Sequence, residues 1–324
     1  MIGEAGLLTL GVDLGGTKVK TALVDAEGRI MASHLHPTDP DKGWAGIIAD
    51  IEACVRGCIG QAAKEAIALG IGVAGQVDAA TGAVRFAPNL GWRDVALRAE
   101  LEKALEMRVV VANDVRAATC GEWWHGAGRW AEDMVCIFVG TGIGGGVVSD
   151  GRLLEGSSNA AGELGHATLM VGGRRCRCPN QGCLEAYAGG WAIAERAQEA
   201  VQQDVRSGET LLSLAGSIEK ITAAHVANAY HDGDPLAHYL IKETGQYLAA
   251  GVVGIVNAFN PSLLVLGGGI IEGVPELVRI VEKEVRGHAL SAAVQPLRVL
   301  RAALGRDAGV VGAATMARKR LMGG

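Results

Sequence analysis

The chain has no surplus of positive charge. Its 30 lysines and arginines stand against 35 aspartates and glutamates, for a net charge of −5. No basic field is available to hold a nucleic-acid backbone, so no nucleic-acid partner is expected. Long hydrophobic runs are lacking too. The longest uncharged stretch, Thr244 to Ile271, is interrupted by Asn257, Asn260, Pro261 and Ser262. A membrane-spanning helix would leave those polar groups unsatisfied, so a buried helix, a turn and a buried strand are expected instead, and no membrane partner. The opening MIGEAGLLTLGVDLGG has no basic segment and is broken by Asp13 and glycines. It does not read as a secretory leader, and a cytoplasmic location is expected. Aromatic residues are scarce at 4%, but 49% hydrophobic and 20% charged residues with 48 glycines exclude a disordered chain and indicate a turn-rich α/β protein. Its 324 residues suffice for two lobes with separate cores.

What is abundant is glycine, and it recurs in one device. Leu7 to Val12 reads as a strand running into DLGGTK, and Val19 to Val24 as the returning strand. Met134 to Val139 runs likewise into GTGIGGG, with Val147 to Ser149 returning to the turn Asp150-Gly151. Glycine lets backbone N–H groups close on an anion. Asp13 adds a Mg²⁺ ligand, Thr17 a hydroxyl and Lys18 a positive charge beside Gly15 and Gly16. A single Gly-Gly turn would read as a tight hairpin, and the second one shifts the reading toward phosphate. The order Gly16-Thr17-Lys18 before a strand is not a P-loop. Gly140, Gly142 and Gly145 match GxGxxG, yet a hairpin follows where a dinucleotide fold needs a helix. A nucleotide held between two hairpins remains, with Thr141 and the glycines from Gly142 through Gly144 to Gly145 at its phosphates and Gly267, Gly268 and Gly269 against adenosine. Two such units imply duplicated lobes with the site in the cleft between them.

Between these hairpins, helices are expected from about Trp44 to Lys64 and from Glu100 to Leu105, and strands at Ala68 to Val73 and Arg108 to Ala112. The last strand delivers Asn113 and Asp114 at its C-terminal end, where ligands gather in open α/β sheets. A final helix is expected from Val310 to Leu321. Of seven cysteines, Cys176, Cys178 and Cys183 crowd together after His166. One imidazole and three thiolates suit tetrahedral Zn²⁺, and a full shell makes that metal structural. Cys54, Cys58, Cys120 and Cys136 read as buried thiols, and Arg174, Arg175 and Arg177 as a solvated rim.

In order along the chain, DLGGTK, GVAGQVD at Gly72 to Asp78, Asn113-Asp114, GTGIGGG, AGELGH at Ala161 to His166, CRCPNQGCLE at Cys176 to Glu185 and Gly267 to Gly269 resemble the ROK sugar kinases. The resemblance implies an actin/hexokinase-like α/β fold with a small lobe of residues 1–116 plus about 301–324 and a large lobe of 117–300. It implies ATP, Mg²⁺ and structural Zn²⁺ as cofactors and phosphorylation of a primary hydroxyl, foremost of glucose. N-acetylmannosamine, N-acetylglucosamine, mannose and fructose remain open, as does a non-catalytic sugar sensor. Asp114 becomes the general base, and Asn89, Asn113, Glu163, His166 and Glu185 bind sugar hydroxyls, His166 also serving the metal. ROK repressors carry an N-terminal helix-turn-helix, for which the twelve residues before Asp13 are too few. A homodimer or homotetramer is implied. Pro179 and Asn159 stand where the family commonly has glycine, and asparagine tolerates the left-handed backbone that glycine would supply.

Overall fold

The structure is a computed structural model describing residues 8–62, 64 and 66–323; Leu7, expected to begin the first strand, lies outside them. The chain divides into two compact units. The first comprises residues 1–130, 153–161 and 303–324, and the second 131–152 and 162–302.

In the first unit, strands β1 (Leu8–Leu14), β2 (Lys18–Val24) and β3 (Ile30–Pro37) form an antiparallel meander. Helix α1 (Gly43–Ala62) follows, stopping short of Lys64, and then β4 (Ala66–Val73). A small sheet of β5 (Gln76–Val77), β6 (Val84–Ala87) and β7 (Trp92–Val95) precedes α2 (Leu97–Leu105), β8 (Val109–Asn113) and α3 (Asp114–His125). The main sheet has the order β3-β2-β1-β4-β8, with β1, β4 and β8 parallel. Register places Leu14 beside Val73 and Val73 beside Asn113, so three strand ends share one edge. Ile47, Ile51, Val55 and Cys58 of α1 pack on that sheet with Leu10, Val12 and Ile71. Their spacing is the helical repeat of one buried face.

The first segment of this unit extends past residue 116 because α3 belongs to its core. Gly121 of α3 and Gly312 of the C-terminal helix (Ala308–Met322) let the two backbones touch. Buried Glu122 accepts hydrogen bonds from the N–H groups of Ala127, Ala303 and Leu304, at 2.8, 3.0 and 2.7 Å. The helix breaks no rule of amphipathicity by burying Glu122, since three N–H donors compensate its charge.

The second unit repeats the local plan. Its hairpin is β9 (Met134–Val139) and β10 (Ile143–Ser149), continued by a short strand, β11 (Arg152–Leu153). Helices α4 (Glu185–Ala188), α5 (Gly190–Gln203), α6 (Glu209–Ala215), α7 (Ala223–His231) and α8 (Pro235–Phe259) follow. Then come β12 (Leu263–Gly267), α9 (Gly269–Gly273), α10 (Glu276–His288), α11 (Ser291–Val294) and β13 (Arg298–Arg301). The order is β11-β10-β9-β12-β13, with β12 parallel to β9. As in the first unit, a hairpin strand is flanked by its antiparallel mate and a parallel neighbour. The uncharged stretch from Thr244 resolves into the buried end of α8, a turn at Asn260 with φ 44°, and β12. Leu248, Val252 and Val256 of α8 join Val135, Ile137, Leu264 and Leu266 in the core. No helix among the described residues is long and apolar enough to cross a membrane.

Candidate active site

Asp13 is the penultimate residue of β1, at the edge where the glycine turn begins. Gly15 closes the turn by donating its N–H to the Lys18 carbonyl at 3.0 Å. A β-carbon at Gly16 would stand 2.8 Å from Asn89 Cβ, so only glycine lets the turn lie against Asn89, carried on the 3₁₀ turn Pro88–Leu90. Asp13, Gly15, Gly16, Thr17, Lys18 and Asn89 are thereby gathered. Lys20, opposite Asp13 in the register, pairs with Asp307. Desolvation pushes the Asp13 carboxyl above its ordinary value, with Lys18 and Lys20 pulling it back. A cation would reverse that penalty, which is the behaviour expected of a metal-facing carboxylate.

Asn113 and Asp114 stand at the junction of β8 and α3. The Asn113 side chain caps the helix, its Oδ1 accepting from Val115 and Arg116 N–H at 3.0 and 3.1 Å, while Nδ2 donates to the Gly75 carbonyl at 3.3 Å. An amide has two N–H donors, so one remains for a ligand. Asp114 is the first residue of the helix, where a negative charge complements the helix dipole. Sequence reasoning overlooked the anchor of this turn. Buried Arg116 bonds Asn159 Oδ1 and reaches the Asn159 and Glu155 carbonyls, and Asn159 Nδ2 donates to Val77 O at 3.1 Å. Asn159 has φ 61°, the left-handed conformation expected of it.

In the second unit Glu185 meets the other glycine turn. Its Oε2 accepts the Ile143 N–H at 2.8 Å and its Oε1 the Trp191 indole N–H at 3.1 Å. Any side chain at Gly142 would collide with this carboxylate. The Gly190 and Trp191 N–H groups donate to the Gly140 and Thr141 carbonyls, each at 3.0 Å. Beside this turn lies a cavity of about 640 Å³, within the range of small-molecule sites. Thr141 and Gly269 line it, together with Trp191, Thr222, Ala227 and Asn228. These last four carry no motif, which is why the sequence reading missed them. Gly144 pairs within the hairpin with Phe138, and Gly267 is buried against Phe138 and Ala302, so neither lines the cavity, nor do Gly142 and Gly268. Glu163 precedes and His166 ends the 3₁₀ turn Leu164–His166, whose Leu164 and Gly165 pack on β10.

His166, Cys176, Cys178 and Cys183 converge as expected, with one ligand atom from each lying within 4.8 Å of the others. Cys176 Sγ is 3.6 Å from His166 Nδ1, and Cys178 and Cys183 sulfurs are 3.6 Å apart. Zinc–thiolate bonds of about 2.3 Å put tetrahedral sulfurs roughly 3.7 Å apart, so the four residues fit that ion, whereas a disulfide needs about 2.05 Å. Burial pushes the Cys176 thiol up to about 12, so a cation there would displace protons. His166 Nδ1 faces the Cys176 sulfur, which leaves Nε2 as the other ring nitrogen. The loop folds back through N–H bonds from Leu169 to Gly182 O and Gly182 to Arg174 O, both 2.7 Å. The arginine rim is corrected at Arg174, which is half-buried and grips Glu199 at 2.6 and 2.9 Å; Arg175 and Arg177 are exposed, Arg177 with its guanidinium 4.7 Å from the Trp191 ring centre. The other four cysteines are buried, as expected.

The chain as a whole is similar to known proteins. The model of the ROK family matches residues 9–320. A glucokinase of Thermotoga maritima is 36% identical over 98% of this chain and 99% of its own. The crystal structure of a ROK family glucokinase from Streptomyces griseus, in complex with glucose and AMPPNP, superposes with a TM-score of 0.86 at 37% identity, covering 96% of this chain and 99% of that one. A ROK hexokinase from Thermus thermophilus gives 0.84 at 32% identity, over 98% and 100%. With nearly the whole sequence matched and the hexokinase-like α/β plan reproduced, the chain belongs to the ROK family.

Proposed function

We propose that the protein is an ATP-dependent sugar kinase that converts glucose to glucose 6-phosphate. The cavity beside Thr141 carries the nucleotide half of this reading: its size and its place against a glycine turn suit a nucleoside triphosphate. Asp13, Gly15, Gly16, Thr17 and Lys18 bind the phosphates and their Mg²⁺ from the first unit. Thr141 does so from the second and Gly269 supports adenosine, while Gly142, Gly144, Gly267 and Gly268 shape the turns that present them. Asn89, Asn113, Asp114, Glu163, His166 and Glu185 bind the sugar. In the reaction the sugar's primary hydroxyl oxygen bonds to the γ-phosphorus, the bond from that phosphorus to the β–γ bridging oxygen breaks, and ADP leaves. The hydroxyl proton passes to the Asp114 carboxylate.

His166, Cys176, Cys178 and Cys183 hold structural zinc, which fixes the loop between Glu163 and Glu185 and supplies no reacting group. The protein acts in the cytoplasm, as a homodimer or homotetramer, in glycolytic sugar metabolism. A coupled assay over glucose, mannose, fructose, N-acetylglucosamine and N-acetylmannosamine tests the substrate, repeated with donors other than ATP. Absence of turnover with every sugar would refute the kinase reading, and preference for an N-acetyl sugar would replace the substrate.

A further inference from the structure

Trp191 touches three parts of the second unit that the mechanism treats separately. Its backbone N–H donates to Thr141 O in the glycine turn, and the residue lines the cavity. Its indole N–H holds Glu185 Oε1, whose other oxygen is committed to Ile143 N–H in the same turn. On the ring sits the Arg177 guanidinium, between the cluster residues Cys176 and Cys178. At only 8% exposure the indole has little room to take another rotamer. Stacking on a tryptophan face is the strongest form of the cation–π contact.

We propose that Trp191 is a positioning residue through which the Cys/His loop sets the affinity for both substrates. This rests on the kinase reading above. The loop holds Arg177, Arg177 holds the indole, and the indole fixes the Glu185 carboxylate and the Thr141 side of the cavity together. Trp191 itself transfers nothing. Its loss moves KM for glucose and ATP rather than abolishing turnover.

The test uses the full-length, zinc-loaded enzyme and three variants. Trp191→Phe keeps an aromatic ring but deletes the N–H donated to the Glu185 carboxylate. AMPPNP Kd and both KM values are expected to rise about tenfold, with kcat changed much less. Arg177→Ala, at an exposed position where folding is not at stake, is expected to raise them about threefold with zinc content unchanged. Arg177→Lys, which keeps a cation, should recover part of the loss. Removing zinc with a chelator should weaken AMPPNP binding more in the wild type than in Arg177→Ala. Unchanged Kd and KM in both Trp191→Phe and Arg177→Ala would overturn the proposal, as would equal chelator effects in wild type and Arg177→Ala. Failure of the wild type to bind AMPPNP at all would instead overturn the kinase reading on which the proposal rests.

Discussion

The Asn113 side chain caps the helix that Asp114 begins, its Oδ1 accepting the N–H groups of Val115 and Arg116. One residue thus orients the proposed base and offers an amide hydrogen to the sugar. Asn113→Ala is expected to lose about 1 kcal/mol of stability with the cap, together with sugar affinity. Asn113→Asp retains the acceptor and so most of the stability, but not the N–H donor. Thermal melts set against sugar KM separate the duties. If both variants melt alike, the cap is unimportant.

Asp114→Ala should lower kcat by about 10² to 10⁴, the usual contribution of a general base, while sugar Kd measured by calorimetry changes little. Near-normal kcat would remove Asp114 from its assigned role.

Asp13 couples stability and activity in opposite senses. Its carboxyl is held above the ordinary value by desolvation, so the folded state binds its proton more readily than the unfolded chain does. The resulting stability is fully present below the unfolded value near 3.8 and is lost as pH rises through the folded value. Asp13→Asn, which mimics the protonated form, should therefore melt higher than the wild type at neutral pH without ligands, the gap closing in acid. The same variant should lose turnover and the stabilisation that Mg²⁺–ATP gives the wild type. A lower melting temperature at neutral pH would show that the carboxylate is already compensated.

Elemental analysis of the purified protein should find one zinc per chain. Cys178→Ser should lose the metal and fall in stability and sugar affinity together, because the loop it closes leads from His166 to Glu185. Zinc-free wild type with full sugar affinity would end this assignment.

What could be read from the sequence was chemistry carried by unusual residues at fixed spacing. DLGGTK announced Asp13 at a strand end, Asn113-Asp114 closed a β-branched run, and three cysteines near a histidine needed no fold to be noticed. What stayed hidden was pairing across the chain. Nothing local in Arg116 announces that residues 153–161 return to the first unit to hold it. The cavity wall from Ala223 to Asn228 is alanine-rich and looks like any helix face. Arg177 reads as a surface charge until Trp191 arrives beneath it. Gly267 carried a motif but is a packed strand end, since a glycine required by close packing and one required by a ligand look the same in sequence.

Asn159 offers the sharpest test of that hidden pairing. Its backbone is left-handed, its Oδ1 receives Arg116, and its Nδ2 bonds Val77 O. Asn159→Gly removes the backbone strain with the side-chain bonds, whereas Asn159→Ala removes the bonds and adds strain of about 1 kcal/mol. Both weaken the hold on a buried guanidinium, a loss of about 1 to 3 kcal/mol. The alanine variant should therefore be the less stable of the two, and both should lose kcat, because Arg116 lies two residues from Asp114 in the first turn of α3. If Asn159→Gly is as stable and active as the wild type, the position needs only its backbone conformation, and the Asn159–Arg116 bond contributes nothing to placing the base.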